Sequence, residues 1–228
     1  MEAPVNLLFS DFGLYLKTLE VFLEHSTEHQ CTKKFIDENL PDFVASIGEK
    51  GAFCLNVLGV GSGSGEMDFE ILSKIQSQHP GLPIHNEVVE LLPQQISKYK
   101  DLVKEKGQGL NISFTWNQLS SEEYVKQNKE RKESKKFDFI HMIQMLYYVE
   151  SIHDTIKYFH SLLETNGKML IIYNPDDTRL RSLSSQLADN HFLPDVQKVL
   201  DELRMKYQIY KLSFDMDITE CFIVMWLV

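Results

Sequence analysis

At 228 residues the chain is long enough for one α/β domain with a full core and cramped for two. A formal net charge of -10 leaves no broad basic face, so the balance argues against a nucleic-acid partner and favours approach of a small cation. With no apolar run of spanning length, no charged-then-apolar leader and an odd set of three cysteines in unrelated contexts, the chain reads as a cytosolic protein with reduced thiols.

Apolar residues at Leu16, Leu19, Phe22 and Leu23 predict an amphipathic helix over Phe9 to Leu23, interrupted at His25-Ser26-Thr27. Thr27 with Gln30 three positions on has the form of a capping box, which starts the next helix at Glu28. The apolar set Phe35, Ile36, Leu40, Phe43, Val44 and Ile47 continues that pattern, and Pro41 is expected to break it into two short helices. His25 to His29 also spells H-x-x-E-H, an inverted zinc-protease pattern. It needs both histidines on one helix, whereas the capping signal puts the helix start between them, and no further metal ligand is evident.

Cys54 to Ser73 is the most informative stretch: an apolar strand breaks into glycines and then into an amphipathic helix. Such a corner binds phosphates or cofactors through backbone amides. Glycine opens left-handed backbone angles and lets a ligand approach the amides. Gly59, Gly61, Gly63 and Gly65 do not give the dinucleotide fingerprint, because the third small residue would fall at Ser64 or Glu66. Met67, Ile71, Leu72 and Ile75 form the inward face of the following helix, which ends near His79-Pro80-Gly81.

The second strand is Ile84 to Val89, closed by Glu90. A carboxylate there can accept from both hydroxyls of a ribose; the plainer reading is a solvated strand-end glutamate. Gln94 and Gln95 open a helix that stops at Lys104-Glu105-Lys106-Gly107. Ile112 to Trp116 is the third strand, and Ser120 or Ser121 either edges a bound base or caps the helix beginning Glu122-Glu123-Tyr124. Lys126 to Lys136 reads as a solvated helix and loop. The fourth strand, from Phe137, delivers Ile143 and Gln144 to the sheet's C-terminal edge, where open α/β sheets bind ligands. Tyr147 and Tyr148 are expected to begin the next helix over that crevice, as ligand contacts or as core and rim residues. A helix over Ile152 to Leu163, a glycine stop at Thr165-Asn166-Gly167 and a fifth strand from Lys168 to Tyr173 complete the pattern.

The run Gly61-Ser-Gly-Ser-Gly65 followed by Glu-Met-Asp resembles the first motif of the S-adenosylmethionine-dependent methyltransferases. With Glu90, the Ile140 to Tyr148 segment and the Leu162-Leu163-x-x-Asn-Gly-Lys-x-Leu170 return, the set resembles a class I methyltransferase. Leu8-Phe-Ser-Asp11, His25-Ser-Thr-Glu-His-Gln-Cys31, Asn86-Glu-Val-Val-Glu90, His141-Met-Ile-Gln-Met-Leu-Tyr-Tyr-Val149 and Phe159-His-Ser-Leu-Leu163 resemble the histamine N-methyltransferases more narrowly. The likeness covers residues 7 to 173 and resumes in Met216-Asp-Ile-Thr-Glu-Cys-Phe222.

The resemblance implies a Rossmann-like α/β fold with a mostly parallel central sheet flanked by helices. It implies one domain over 1–228, made of a helical substrate-cap segment over 1–50, lying over the active site, and a cofactor-binding core over 51–228. It implies a cytoplasmic monomer, without nucleic acid, membrane or metal, that moves the methyl of S-adenosylmethionine to a ring nitrogen of histamine. Gly61, Gly63, Glu90, Gln95, Ser121 and Ile143 stand where the family holds the cofactor, and Glu28, Gln144, Tyr147 and Tyr148 where it holds the amine. No catalytic side chain is required, because a sulfonium is already a strong electrophile and the protein has mainly to align a neutral nitrogen. Glu28 with the two tyrosines could meet the ammonium, although a helix-start glutamate also suits its own dipole.

Two departures from the family stand out. Asn174 to Ser185 is short, polar and free of tryptophan where the family has a longer segment walling the amine site. The family chain also continues beyond the Cys-Phe match, so Phe222 to Leu227 is expected either as a shortened closing strand, antiparallel to Tyr207 to Phe214, or as a terminus foreign to the family. An alternative function follows from these departures: an inactive homologue that binds cofactor or a partner without turnover. A dehydrogenase is disfavoured by the glycine spacing.

Overall fold

The computed structural model describes residues 12–48, 52–132, 135–173 and 196–215, which fall into two compact units. The expected segments Asn174 to Ser185 and Phe222 to Leu227, the motif ends Leu8 to Asp11 and Met216 to Phe222, and the side chain of Tyr147 lie outside the described residues.

The first unit holds helix α1 (Phe12–His25), the start of helix α2 (Glu28–Val44) and residues 207–215. The chain breaks between the helices where the sequence predicts, so His25 ends one helix and His29 lies in the next. Thr27 fastens that break. Its amide donates to the Asp215 carbonyl at 2.9 Å, and its hydroxyl accepts from the Asp215 amide at 2.8 Å. The hydroxyl that the capping pattern assigns to the helix start is thus bonded to backbone 188 positions away, in residues 207–215, which are expected as a strand and take no regular form. Cys31 donates its thiol to the Ser213 carbonyl at 3.1 Å, and Phe35 meets Tyr210 edge-on with centroids 5.3 Å apart.

Pro41 does not split α2, contrary to expectation. Ile36, Leu40 and Val44 recur one turn apart on one face and are fully buried. Burying each contributes about 2 kcal/mol, which together exceeds the ~3 kcal/mol that an interior proline costs.

Among the described residues the second unit holds a five-stranded, fully parallel sheet in the order β3-β2-β1-β4-β5. Its strands are β1 (Leu55–Val60), β2 (Ile84–Val89), β3 (Ile112–Asn117), β4 (Phe137–Ile143) and β5 (Leu163–Ile172). The helices of this unit are α3 (Glu66–Gln78), α4 (Pro93–Lys106), α5 (Ser121–Arg131), α6 (Ile152–Ser161) and the short α7 (Val196–Glu202). This is the Rossmann-like architecture, with β1 central and a switch of direction between β1 and β4. Met67, Ile71, Leu72 and Ile75 are the buried face of α3, as their spacing predicts.

Burial on both sides gives β2 two polar neighbours with different tasks. Asn86 donates to the Tyr99 hydroxyl at 3.4 Å, while Glu87 accepts from Tyr124 at 2.9 Å and pairs with Lys135. Lys135 therefore belongs to a partly buried ion pair, where the sequence suggests only a solvated charge run. Its neighbour α5 is started by Ser120: its hydroxyl accepts from the Glu123 amide at 3.1 Å, and the Glu123 carboxylate accepts the Ser120 amide at 2.8 Å.

Gly167 is not a helix stop. The helix has already ended at Ser161, and β5 begins at Leu163 with a register irregularity before Lys168. A β-carbon on Gly167 would fall 2.8 Å from the Phe137 carbonyl, so the residue is bare to let two strands approach.

Replacing Pro41 by alanine should raise stability. Regaining the helical hydrogen bond and relieving the ring clash outweigh the ~1 kcal/mol lost by loosening the unfolded chain, for a net gain of about 1–2 kcal/mol. Denaturant unfolding checks it, and a lower midpoint would contradict the account.

Candidate active site

Four chain ends meet at the C-terminal edge of the sheet: the turn after β1, the residues after β2, the end of β4 and the start of α4. In-register pairing of Val60 with Val89 brings the first two side by side. The Gly61 amide donates to the Val89 carbonyl at 2.8 Å, which directs the turn across the end of β2. Gly61, Gly63 and Gly65 have φ of 70, 55 and 80°, in the left-handed region that favours glycine.

Each glycine answers a different neighbour. A β-carbon on Gly61 would lie 2.6 Å from the Met145 β-carbon, and one on Gly65 would lie 2.1 Å from the Tyr99 ring. Around Gly63 nothing among the described residues stands within 4 Å of that position. The turn is packed underneath at its two ends and open at its middle.

Glu90 follows β2 directly and is buried. One carboxylate oxygen accepts from the Gly63 amide at 2.8 Å and the other from the Leu92 amide at 2.8 Å. Burial pushes its carboxyl above the ordinary glutamate range, opposed by those two amides and reinforced by the charge of Asp68. The solvated strand-end reading is thereby excluded. An ionised carboxylate offers about four acceptor positions, so two remain for hydroxyl donors.

Gln95, in the first turn of α4, is buried with its side-chain oxygen unpartnered. Ile143 ends β4, half-buried, and Gln144 follows with φ of 52° and its amide on the Ile172 carbonyl at 2.7 Å. Ser121 begins α5 and donates to Glu122 at 3.1 Å; the capping task falls to Ser120, which leaves the Ser121 hydroxyl near the end of β3. Tyr147 and Tyr148 lie in a 3-10 turn over Leu146–Tyr148, and the next helix starts only at Ile152, capped by Ser151. Tyr148 is exposed. Glu28 belongs to the first unit, where it is buried as the first residue of α2.

The structure adds residues that the sequence did not single out. Asp68 and His141 are buried beside Gly59, Tyr99 closes behind Gly65, and the Leu92 amide shares Glu90. One signal was available: a glycine within a buried apolar strand marks a place where something approaches the backbone.

A methyltransferase domain family matches residues 25–205. Histamine N-methyltransferase of Cavia porcellus is 45% identical over 232 residues, covering 98% of this chain and 79% of that protein. The chain belongs to the histamine N-methyltransferase family. The enzyme of that name from Mus musculus has the same identity and coverage, and carnosine N-methyltransferase 2 of Gallus gallus is 45% identical over 92% of this chain and 67% of its own. Among solved structures, the plantazolicin methyltransferase BpumL aligns with a TM-score of 0.54 at 13% identity, covering 87% of this chain and 72% of that one. The likeness confirms the class I methyltransferase fold.

The glycines of this family member carry separable predictions. Gly65→Ala should cost several times more stability than Gly63→Ala, because only the former meets a ring; for Gly63→Ala the left-handed backbone alone costs about 1–2 kcal/mol. Thermal unfolding of the two variants checks the order, and equal losses would contradict it.

Proposed function

We propose that this chain transfers the methyl group of S-adenosylmethionine to the imidazole ring nitrogen of histamine. The observation that carries the proposal is the glycine turn, open at Gly63 and joined there to a buried carboxylate, in a chain 45% identical to histamine N-methyltransferases over nearly its whole length. The fit to an adenosyl cofactor is supported from both sides. Gly63 leaves space over a backbone amide, Glu90 keeps free acceptor positions for two ribose hydroxyls, and the buried Gln95 oxygen lacks a donor.

When bound, S-adenosylmethionine supplies a methyl already activated by a sulfonium. The chain's own contribution is to hold and align. Gly61, Gly63, Glu90 and Gln95 would grip the nucleoside and amino-acid ends, with Ser121 and Ile143 at the base. Glu28, Gln144, Tyr147 and Tyr148 would orient the amine, their carboxylate and aromatic faces suiting an ammonium group. These residues would hold a neutral imidazole nitrogen with its lone pair in line with the methyl group that the cofactor supplies, and leave the ring's other nitrogen open for loss of its proton to solvent. Most of the acceleration then comes from alignment and exclusion of water.

Within this reading the helical segment 1–50 is a substrate cap on a single functional domain with 51–228, and the protein is a cytoplasmic monomer without nucleic-acid or membrane partners. Cys31 and Cys54 as free thiols suit a reducing compartment. Carnosine is a second substrate with an observation behind it, the 45% identity to the carnosine enzyme.

The deciding experiment is transfer of labelled methyl to histamine, with carnosine in parallel. Histamine is expected as the better acceptor; cofactor binding without transfer to either would overturn the proposal in favour of an inactive homologue. Glu90→Ala should weaken cofactor binding by at least about tenfold, ~1.4 kcal/mol, by calorimetry. Unchanged affinity would remove Glu90 from the ribose. Glu28→Gln should raise the amine KM while cofactor affinity stays near normal, and loss of both would make Glu28 structural.

A further inference from the structure

We propose that Asp68 and His141 are a positioning pair for the cofactor turn: two buried side chains that, through Ser62 and the bare Gly59, set where the amides of Gly61 and Gly63 stand. The inference rests on reading that turn as the S-adenosylmethionine site.

Three elements bring the groups together. Asp68 is the third residue of α3 and 2% exposed, His141 lies in β4 and is 1% exposed, and Gly59 lies between them in β1. The imidazole Nδ1 stands 3.6 Å from the Asp68 Oδ1. A β-carbon on Gly59 would fall 2.5 Å from Asp68 Oδ2, 2.5 Å from the Ser62 hydroxyl and 2.8 Å from the His141 Cε1. Three groups from three segments thus converge on the space where a side chain of β1 would otherwise be. Ser62 lies in the turn itself, between Gly61 and Gly63, and its carbonyl accepts the Gly65 amide at 3.0 Å.

A cluster of buried polar groups is a costly way to fill this space. Among the described residues the Ser62 hydroxyl, Asp68 Oδ2 and His141 Nε2 are buried without a hydrogen bond of ordinary geometry, although Ser62 and Tyr99 both face the Asp68 carboxyl and favour its charge. Such groups cost free energy, and apolar residues of the same size would often pack at less expense. Buried polar groups concentrated beneath a binding turn are the arrangement expected where geometry and charge serve a ligand.

The electrostatics of the surroundings connect the pair to Glu90. Burial drives the Asp68 carboxyl up and the His141 imidazole down, while each favours the other's charge. The two groups therefore compete for protons as one coupled unit. Tyr99 on α4, which burial keeps protonated, also acts on Asp68, and the Asp68 charge in turn pushes the Glu90 carboxyl up. A change in the pair's proton content alters both the support under Ser62 and the readiness of Glu90 to ionise.

The test uses the full chain with Asp68→Asn and His141→Gln, each checked for folding by circular dichroism. Calorimetry measures S-adenosylmethionine and S-adenosylhomocysteine binding from about pH 4.5 to about pH 9, a window extended below the ordinary imidazole range because burial pushes His141 down. Imidazole NMR follows His141 in the cofactor-free protein. Asp68→Asn is expected to raise the cofactor Kd about tenfold, ~1.4 kcal/mol, while the amine KM moves less than about twofold. The pH dependence of wild-type binding should differ from that of His141→Gln, and the His141 resonance should titrate differently once Asp68 is neutralised. A folded Asp68→Asn with wild-type cofactor affinity, or superimposable pH profiles for wild type and His141→Gln, would overturn the pairing. If Asp68→Asn does not fold, the His141→Gln profile decides. Wild-type protein that binds neither cofactor form would overturn the site reading and this inference with it.

Discussion

One carboxylate ties the cofactor corner together. Glu90 takes an amide from the turn after β1 on one oxygen and an amide from the turn after β2 on the other, so two loops from different strands share a single buried anchor. Only the strand order permits this. With β2 hydrogen-bonded to β1 in parallel register, the residue leaving β2 arrives beside the glycines leaving β1. Charge-assisted bonds from two amides are the compensation that makes burial of a carboxylate tolerable.

The surrounding packing follows from that anchor. Met145 fills the space under Gly61 and Tyr99 the space under Gly65, so the turn has rigid walls at both ends and freedom at Gly63 alone. Tyr99 is itself held in place by Asn86 and by edge-on contacts with Phe114 and Trp116 at 5.8 and 5.1 Å. Preorganisation of this kind suits a reaction in which the protein aligns partners and supplies no covalent group.

What could be read from the chain was whatever depends on local pattern. The limits of β2, the closing Glu90, the inward face of α3 and the break before Glu28 all follow from spacing and turn chemistry, and the structure reproduces them. Where long-range packing overrides a local rule, the reading failed. Pro41 is carried through by three fully buried neighbours, Gly167 serves a strand contact and not a helix end, and the tyrosines after β4 enter a tight turn before any helix. In the loop after β3 the local pattern offered two serines and one cap, and the Glu123 carboxylate selects Ser120. Asp68 and His141 were invisible as a pair because they meet only when α3 packs over the β1–β4 seam.

That seam has a kinetic consequence. The units β1-α3-β2 and β2-α4-β3 join neighbours in sequence, whereas β1 meets β4 through contacts such as the Asn56 amide on Asp138, 82 residues apart. Closing a loop of that length costs entropy before any contact repays it, so contact order favours the local units, β1 to β3 on one side and β4 to β5 on the other, over the seam that joins them. Until β4 arrives, the apolar edge of β1 stands uncovered, and the nascent chain is at its most prone to pairing with a neighbour's strand at that stage.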